Sequence, residues 1–234
     1  MAWKIEGCTV SDGDAIARNN ASAFWFQPYW RILWPADMQQ EFIVTQARKR
    51  LASAVLLRAR DTTRHEKVVD EQEDRVVGYA RWALPDAYKN EWLDRQVPAV
   101  SPEVAAELKE RADSAWWKPR NDMGELDRKV DEERDRVLAI IPPVHMELEY
   151  LAVHPDHQRK GIARSLVESG IREADRLGLP IFVLAFNVSL ELYQKLGFRE
   201  LGRVLQDDSK FGGDGQYNTY FLLYEPGKGA SGRT

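Results

Sequence analysis

Residues 144–224 alternate between strand-like and helix-like segments, and this order of elements constrains the fold more than any other feature of the sequence. The run at 181–186 is continuously apolar, as is typical of a buried central strand, and Gly178 and Pro180 end the helix before it. The predicted elements are strand 144–153, helix 161–177, strand 181–186, helix 189–196, and a final pair of strands, 201–205 and 217–223. This order predicts an α/β fold with a mixed sheet.

The first part of the chain is predicted to hold two helices, at about residues 12–20 and from near Asp37, followed by strands at 65–69 and 76–84. Residues 85–143 differ from the rest of the chain. Two segments with apolar residues at helical spacing lie here between two predicted strands, and the whole segment is longer than an ordinary connection between strands. We therefore predict a single domain over residues 1–226 with a helical insertion at about 85–143, and a flexible tail at 227–234.

Composition and charge narrow the functional classes. Lys and Arg total 33 against 37 Asp and Glu, so the net charge of −4 disfavours general nucleic-acid binding. The single cysteine, Cys8, excludes an intrachain disulfide, and His154 and His157 have no surrounding ligand set, so no metal site is expected. The sequence begins without an apolar signal core and has no long apolar run, which predicts a cytoplasmic protein with no membrane partner.

A phase slip marks the strand at 144–153. Apolar residues occupy positions 146, 148 and 150, and then 151 and 153, so the two-residue period shifts by one after Tyr150. A β-bulge produces such a shift and can splay a strand from its neighbour, which leaves backbone groups free to pair with an extended ligand. The alternative is an irregular pattern in a strand that is buried on both faces.

The turn after this strand has the composition of an anion site. Gly161 and Ala163 open the next helix, and three basic residues, Arg159, Lys160 and Arg164, lie around its start. A helix N-terminus has unpaired N–H groups and a partial positive charge, and small residues allow an anion to approach the backbone. The pattern is consistent with a pyrophosphate site or with an ordinary turn whose charges are solvated.

Two blocks of sequence resemble the GCN5-related N-acetyltransferase (GNAT) superfamily. The first is QRKGIA at residues 158–163, which matches the signature Q/R-x-x-G-x-G/A and follows LAVHP at 151–155. The second is NVSLELYQKLGF at 187–198. Their order and spacing carry the resemblance, which covers about residues 144–224 well and the N-terminal helices loosely. The insertion lies outside the family pattern, and Ala163 replaces glycine at the last position of the signature.

The resemblance implies a mostly antiparallel sheet, flanked by helices, that splays between two central strands and holds acetyl-CoA in the gap. The implied cofactor-binding residues are Leu151, Ala152 and Val153 for the pantetheine arm, Gln158, Arg159, Lys160, Gly161, Ile162 and Ala163 for the pyrophosphate, and Asn187 for the pantetheine. Tyr193 matches the position that faces the CoA sulfur, where a hydroxyl can protonate the departing thiolate. The other interpretation of Tyr193 is a helix residue that packs on the sheet.

The implied reaction transfers an acetyl group from acetyl-CoA to a primary amine, which attacks the thioester directly. Glu147 and Glu149 precede the predicted bulge on one face of the strand, and either could take a proton from the amine. They could instead only attract a cationic substrate or face solvent. We expect a small-molecule amine acceptor and a monomer or homodimer. The alternatives are a non-catalytic acyl-CoA-binding or regulatory module and a protein or peptide N-acetyltransferase.

Overall fold

The protein is described by a computed structural model that covers residues 3–227. Seven strands form one sheet in the order β1-β2-β3-β4-β5-β7-β6. All neighbouring strands are antiparallel except β4 and β5, which are parallel. The strands are β1 Trp3–Gly7, β2 Thr63–Asp70, β3 Arg75–Ala83, β4 Met146–Val153, β5 Ile181–Phe186, β6 Arg199–Asp207 and β7 Gln216–Tyr224.

The sheet splits between its two central strands. Strands β4 and β5 pair only through three residues each, Met146 to Leu148 with Ile181 to Val183. Beyond this point β4 continues to Val153 and β5 to Phe186 without pairing to each other. The expected V-shaped gap is therefore present, and one edge of each strand faces it.

A bulge bends β4 at the start of the gap. On β3, Arg81 pairs with Tyr150 while the next residue, Trp82, pairs with Leu148, so Glu149 has no partner on β3. The sequence predicts the slip immediately after Tyr150, and the structure has it just before that residue. Glu149 therefore lies within the bulge, whereas the sequence pattern predicts it to precede the bulge.

Helices cover both faces of the sheet. The helices are α1 Gly13–Trp25, α2 Pro28–Arg31, α3 Gln40–Leu51, α4 Pro102–Asp113, α5 Gly124–Leu138, α6 Ile162–Leu177 and α7 Asn187–Lys195. Helices α6 and α7 pack on one face through the largest apolar cluster, which includes Leu166, Val167 and Tyr193. On the other face, α1 packs over β3 through Ile16 and Tyr79, and α5 packs over β5 and β7 through Val137. Helices α1, α5, α6 and α7 thus bury apolar residues against the sheet.

The insertion is held by two buried charged residues of β2. The guanidinium of Arg64 donates hydrogen bonds to the backbone carbonyls of Lys89 and Glu91. The carboxylate of Glu66 accepts from Arg95 of the insertion and from Ser169 of α6. Beyond this anchor α4 packs on α3, and α5 packs on β6. The insertion therefore divides between the N-terminal helices and the C-terminal half of the sheet.

The predicted fold class is confirmed, with differences at the N-terminus. Strand β1 and helix α2 are not predicted from the sequence, and the helix predicted from near Asp37 begins at Gln40, with Gln39 as its N-cap. Except for Gly227, the predicted tail at 227–234 lies outside the described residues. Within residues 3–227, no helix is long and apolar enough to cross a membrane.

Candidate functional site

A cavity of about 640 Å³ occupies the split between β4 and β5. Residues 147–153 of β4 form one wall and residues 183–186 of β5 form the other. Phe24, Gln27 and Tyr29 from the N-terminal segment close one side, and Leu192 and Tyr193 of α7 line the cavity as well. The cavity therefore brings together the strand, the helix start and the tyrosine that the sequence analysis selects.

The free edge of β4 offers backbone groups to this cavity. The N–H of His154 bonds to the carbonyl of Val77 on β3. Because successive residues of a strand direct their backbone groups to opposite sides, those of Leu151 and Val153 face the gap and those of Ala152 face β3. The carbonyl of Val153 accepts a hydrogen bond from the Gln158 side chain, at 3.2 Å. An extended chain with amide groups, such as pantetheine, fits the remaining positions.

The turn before α6 presents a run of unpaired amides. Arg159 and Gly161 both have a positive φ, of 59° and 86°, so the chain reverses sharply as the helix begins. The N–H groups of residues 159–164 make no hydrogen bond to any other residue between 3 and 227. A Cβ added to Gly161 meets no atom within 4 Å. The open space and the free amides fit a pyrophosphate at a helix N-terminus.

The six predicted pyrophosphate-binding positions differ in what their side chains do. The Lys160 ammonium donates to the carbonyl of Asp156 at 2.8 Å, which holds the turn. The Ile162 side chain is buried in the core beside Gly78, so only its N–H is available to a ligand. The positions whose residues line the cavity are Gln158, Arg159 and Ala163.

Tyr193 lies on α7 with only 3% of its surface exposed. Its ring packs edge-on against Phe198, with 5.2 Å between ring centroids. Burial, and to a lesser degree the neighbouring Tyr29, raises the pKa of the Tyr193 phenol well above its ordinary value. The phenol therefore stays protonated at neutral pH, and it makes no hydrogen bond to a described residue. A buried neutral hydroxyl at the cavity wall can donate a proton.

Both candidate carboxylates reach the cavity, and each meets an arginine. Both oxygens of Glu147 accept from Arg134 of α5, at 3.0 and 3.1 Å. Glu149 forms an ion pair with Arg81, with 3.1 Å between Oε2 and Nε, although the geometry is not that of a hydrogen bond. Burial raises the pKa of Glu149 despite the opposing effect of Arg81. Since a base with a raised pKa accepts a proton more readily near neutral pH, Glu149 is the better candidate.

Asn187 lies apart from the predicted site residues that line the larger cavity. It is the first residue of α7, with Phe186 as the N-cap, and it is exposed. It lines a smaller cavity of about 210 Å³ that adjoins the gap at Gln27, Tyr29, Phe186 and Val188. The structure thus brings Asn187 to the rim of the gap, while the other predicted residues lie along its walls.

Sequence reasoning misses the aromatic residues that enclose the cavity. Tyr29 stacks on Phe186, with 3.8 Å between ring centroids and an interplanar angle of 18°. Tyr150 packs edge-on against Phe24 at 5.1 Å. The aromatic run at residues 24–30 signals a packed element, but the sequence does not indicate that it closes a cavity. Within residues 3–227, no cluster of three or more His, Cys, Asp or Glu side chains is arranged to hold a metal ion.

The fold and this site define an acyl-CoA-dependent acyltransferase class, and comparison with known families agrees. The model of the acetyltransferase (GNAT) family matches residues 23–198. The chain therefore belongs to the GNAT family, and the predicted cosubstrate, acetyl-CoA or coenzyme A, is confirmed with it.

Individual relatives are more distant. Over 64 residues the chain is 41% identical to the L-amino acid N-acyltransferase MnaT of Escherichia coli (strain K12), a segment that is 26% of this chain and 37% of that protein. The match therefore spans little more than a third of this curated relative. Two solved structures share the fold. One, described as histone acetyltransferase HPA2 and related acetyltransferase from Corynebacterium glutamicum ATCC 13032, has a TM-score of 0.58, 18% identity and 97% coverage of both chains. The other, the polyamine N-acetyltransferase of Drosophila melanogaster, has a TM-score of 0.51 and 14% identity, with 96% of this chain and 100% of that chain covered.

Proposed function

We propose that this protein transfers the acetyl group of acetyl-CoA to the primary amine of a small molecule. The observation that carries the proposal is the cavity between β4 and β5, which has free backbone amides at one end and both Glu149 and Tyr193 on its walls. This arrangement combines binding groups for a pantetheine pyrophosphate with a candidate base and a candidate acid.

Backbone groups hold acetyl-CoA in this proposal. The N–H and C=O of Leu151 and the N–H of Val153 pair with the pantetheine amides along the open edge of β4. The N–H groups of residues 159–164 bind the pyrophosphate, and the positive end of the α6 dipole adds to the attraction.

Two side chains move protons in this proposal. An alkylammonium must first lose a proton, and the Glu149 carboxylate takes it directly or through a water. The amine nitrogen then attacks the thioester carbonyl, a C–N bond forms, and the C–S bond breaks. The Tyr193 hydroxyl gives its proton to the departing thiolate. The amide nitrogen loses its remaining excess proton to water, and water returns a proton to the Tyr193 phenolate. Glu147 is the weaker candidate base because Arg134 engages both of its oxygens.

A second acceptor class has a specific observation in its favour. The 41% identity over 64 residues to an L-amino acid N-acyltransferase favours the α-amino group of an amino acid. The candidate functions that remain are a protein or peptide N-acetyltransferase and a non-catalytic acyl-CoA-binding module.

Free-thiol release from acetyl-CoA tests the proposal. The protein is assayed with polyamines, arylamines, amino acids, aminoglycosides and lysine peptides, and acetyl-CoA binding is measured in parallel by calorimetry. We expect thiol release that depends on one class of small amine. Release with peptides alone would replace the small-molecule acceptor by a protein. Tight acetyl-CoA binding with no release from any amine would favour the non-catalytic module.

A further inference from the structure

Three aromatic side chains separate the acetyl-CoA gap from two further cavities. We call Tyr29, Phe186 and Tyr217 the aromatic wall. Tyr217 lies 6.2 Å from Tyr29 and 6.3 Å from Phe186, measured between ring centroids. Tyr29 and Phe186 line the gap, and all three residues line both of the other cavities. A ligand that reaches past the wall therefore extends from the reaction site into one of these cavities.

The larger of the two cavities, about 490 Å³, lies between α5 of the insertion and the sheet. Its charged residues are Asp127 and Asp131, which are one helical turn apart and exposed. Neither forms an ion pair with a described residue, in contrast to the neighbouring Glu133, which pairs with Arg136. The rest of the lining is mostly apolar, with Ile32, Leu33, Met123, Leu126, Val130 and Leu184.

The smaller cavity adds a buried carboxylate, one oxygen of which lacks a hydrogen-bond partner. Asp208 lines this cavity and is only 1% exposed. Its Oδ1 accepts from the N–H of Gly215 at 2.9 Å, whereas its Oδ2 has no hydrogen-bond partner. Asp214 is the other charged residue of the lining. Among the described residues, no Lys or Arg lines either cavity, so both present only negative charge.

Tyr217 lies close to carboxylates from both cavities. Its pKa is raised to about 12, first by burial and then by the negative charges of Asp208 and Asp127. The phenol therefore stays neutral, and the region around its ring has a negative potential. Aromatic faces beside unpaired carboxylates form a favourable environment for an organic cation, because ring quadrupoles and carboxylates both attract positive charge.

We propose that the acceptor is a diamine, whose second cationic nitrogen binds beyond the aromatic wall in the cavity of Asp127 and Asp131. The proposal rests on the acetyl transfer proposed above and names its substrate class. The reacting amine lies in the gap near Glu149, and the apolar spacer passes along the wall. Helix α5, which lies in the predicted insertion, supplies the two carboxylates. A substrate carboxylate at the same place would be repelled, which separates this proposal from amino-acid acylation.

Three acceptors of equal chain length test the proposal. Putrescine, n-butylamine and γ-aminobutyrate share a four-carbon chain and differ only in the terminal group, which is cationic, neutral or anionic. We expect kcat/KM for putrescine to exceed that for n-butylamine by about 10-fold or more, as for other charge-assisted contacts. γ-Aminobutyrate should be the poorest acceptor. Preference for γ-aminobutyrate, or for an α-amino acid, over putrescine would overturn the proposal.

A double variant tests the named residues. In Asp127→Asn with Asp131→Asn, the ratio of kcat/KM for putrescine to that for n-butylamine should fall to about one. The control is Asp135→Asn, which removes an exposed carboxylate of the same helix that does not line the cavity and should keep the wild-type ratio. A ratio that is unchanged in the double variant would refute the assignment.

Binding measurements separate this proposal from the proposed transferase function. Putrescine is titrated by calorimetry into protein saturated with coenzyme A, using wild type, double variant and control. If no amine releases thiol, the transferase function fails. Putrescine binding that is lost only in the double variant would still support the cation site, and absence of binding to the wild type would overturn it.

Discussion

Gly161 and Gly178 provide a matched pair of substitutions that tests the pyrophosphate site. They stand at the N-cap and the C-cap of α6, with φ of 86° and 70°. An added Cβ meets no atom within 4 Å at either position. Leucine at either position therefore strains the backbone, and its Cβ makes no steric clash inside the protein. Only Gly161 adjoins the free amides of residues 159–164, so only its substitution should affect the ligand.

The loss of folding stability and the loss of ligand affinity in these variants can both be estimated from the structure. A left-handed conformation costs a non-glycine residue about 1–2 kcal/mol. For a chain of this size each kcal/mol lowers Tm by about 2–4 °C, so both variants should lose about 2–8 °C. A leucine side chain in front of the free amides also removes hydrogen bonds to an anion. If two charge-assisted bonds of about 1.5–3 kcal/mol are lost, the binding free energy falls by about 3–6 kcal/mol, or about 10²–10⁴-fold in Kd.

Calorimetric titration with coenzyme A and thermal melting measure both effects. We expect Gly161→Leu and Gly178→Leu to melt within a few degrees of each other, as the shared strain requires. Gly178→Leu should bind coenzyme A like the wild type, and Gly161→Leu should lose most of its affinity. Equal affinity in the two variants would refute the assignment of the turn before α6 as the pyrophosphate site.

Three further substitutions have defined outcomes. Tyr193→Phe should lower kcat by about 10²–10⁴-fold in a thiol-release assay while the Kd for coenzyme A is unchanged, because only the proton donor is removed. The base acts in its ionised form, so kcat should fall as the pH drops through the raised pKa of Glu149, and Arg81→Met should move this acidic limb to higher pH because the guanidinium lowers that pKa. Gly170→Ala should lower the free energy of unfolding by about 1–3 kcal/mol in urea, because the new Cβ would lie 2.2 Å from the ring of Trp82.

Each of these predictions is checked by a control variant or by a result that would contradict it. Tyr150→Phe removes a second phenol from the wall of the gap, and a larger loss of kcat there than in Tyr193→Phe would reassign the acid. An acidic limb that stays in place when Arg81 is replaced would remove Glu149 from the base role. Gly124→Ala is the stability control, since its Cβ meets nothing within 4 Å, and a loss equal to that of Gly170→Ala would contradict the packing argument.

Much of the fold follows from local patterns that the sequence displays. Strand β5 was predicted with its observed bounds, because a continuous apolar run between turn residues specifies a buried strand. Helix α4 is one of the two helices predicted within residues 85–143, and its start is specified locally, since Ser101 caps the helix and Pro102 occupies its first position. Strand β1 was missed because its stability comes from pairing with β2, which is distant in sequence and leaves no local pattern. The helix predicted from near Asp37 begins three residues later, at Gln40, because Gln39 takes the capping position.

In the candidate site, too, some residues were indicated by the sequence and other properties depend on tertiary contacts. The resemblance to a known family was sufficient to indicate the turn at 158–163 and Tyr193, because contiguous motifs carry that resemblance. It was not sufficient to rank Glu147 and Glu149, since their difference depends on Arg134 and Arg81 from separate elements. The position of the bulge was off by one residue because pairing with β3 determines which residue lacks a partner.

The sequence by itself indicated the order of the strands from β2 to β7 and of the helices between them, because periodicity and turn residues are local properties. Its contiguous motifs carried the resemblance that implied the family and the cosubstrate. Tertiary structure alone decided what encloses the gap. Tyr29, Phe186 and Tyr217 come from three separate segments, and Asp127 and Asp208 approach Tyr217 from two more. Such neighbours meet only when α5 and the C-terminal strands pack against each other. The physical reason is that the shape and the electrostatic potential of a pocket depend on side chains that are distant in sequence, and no local pattern encodes which of them come together.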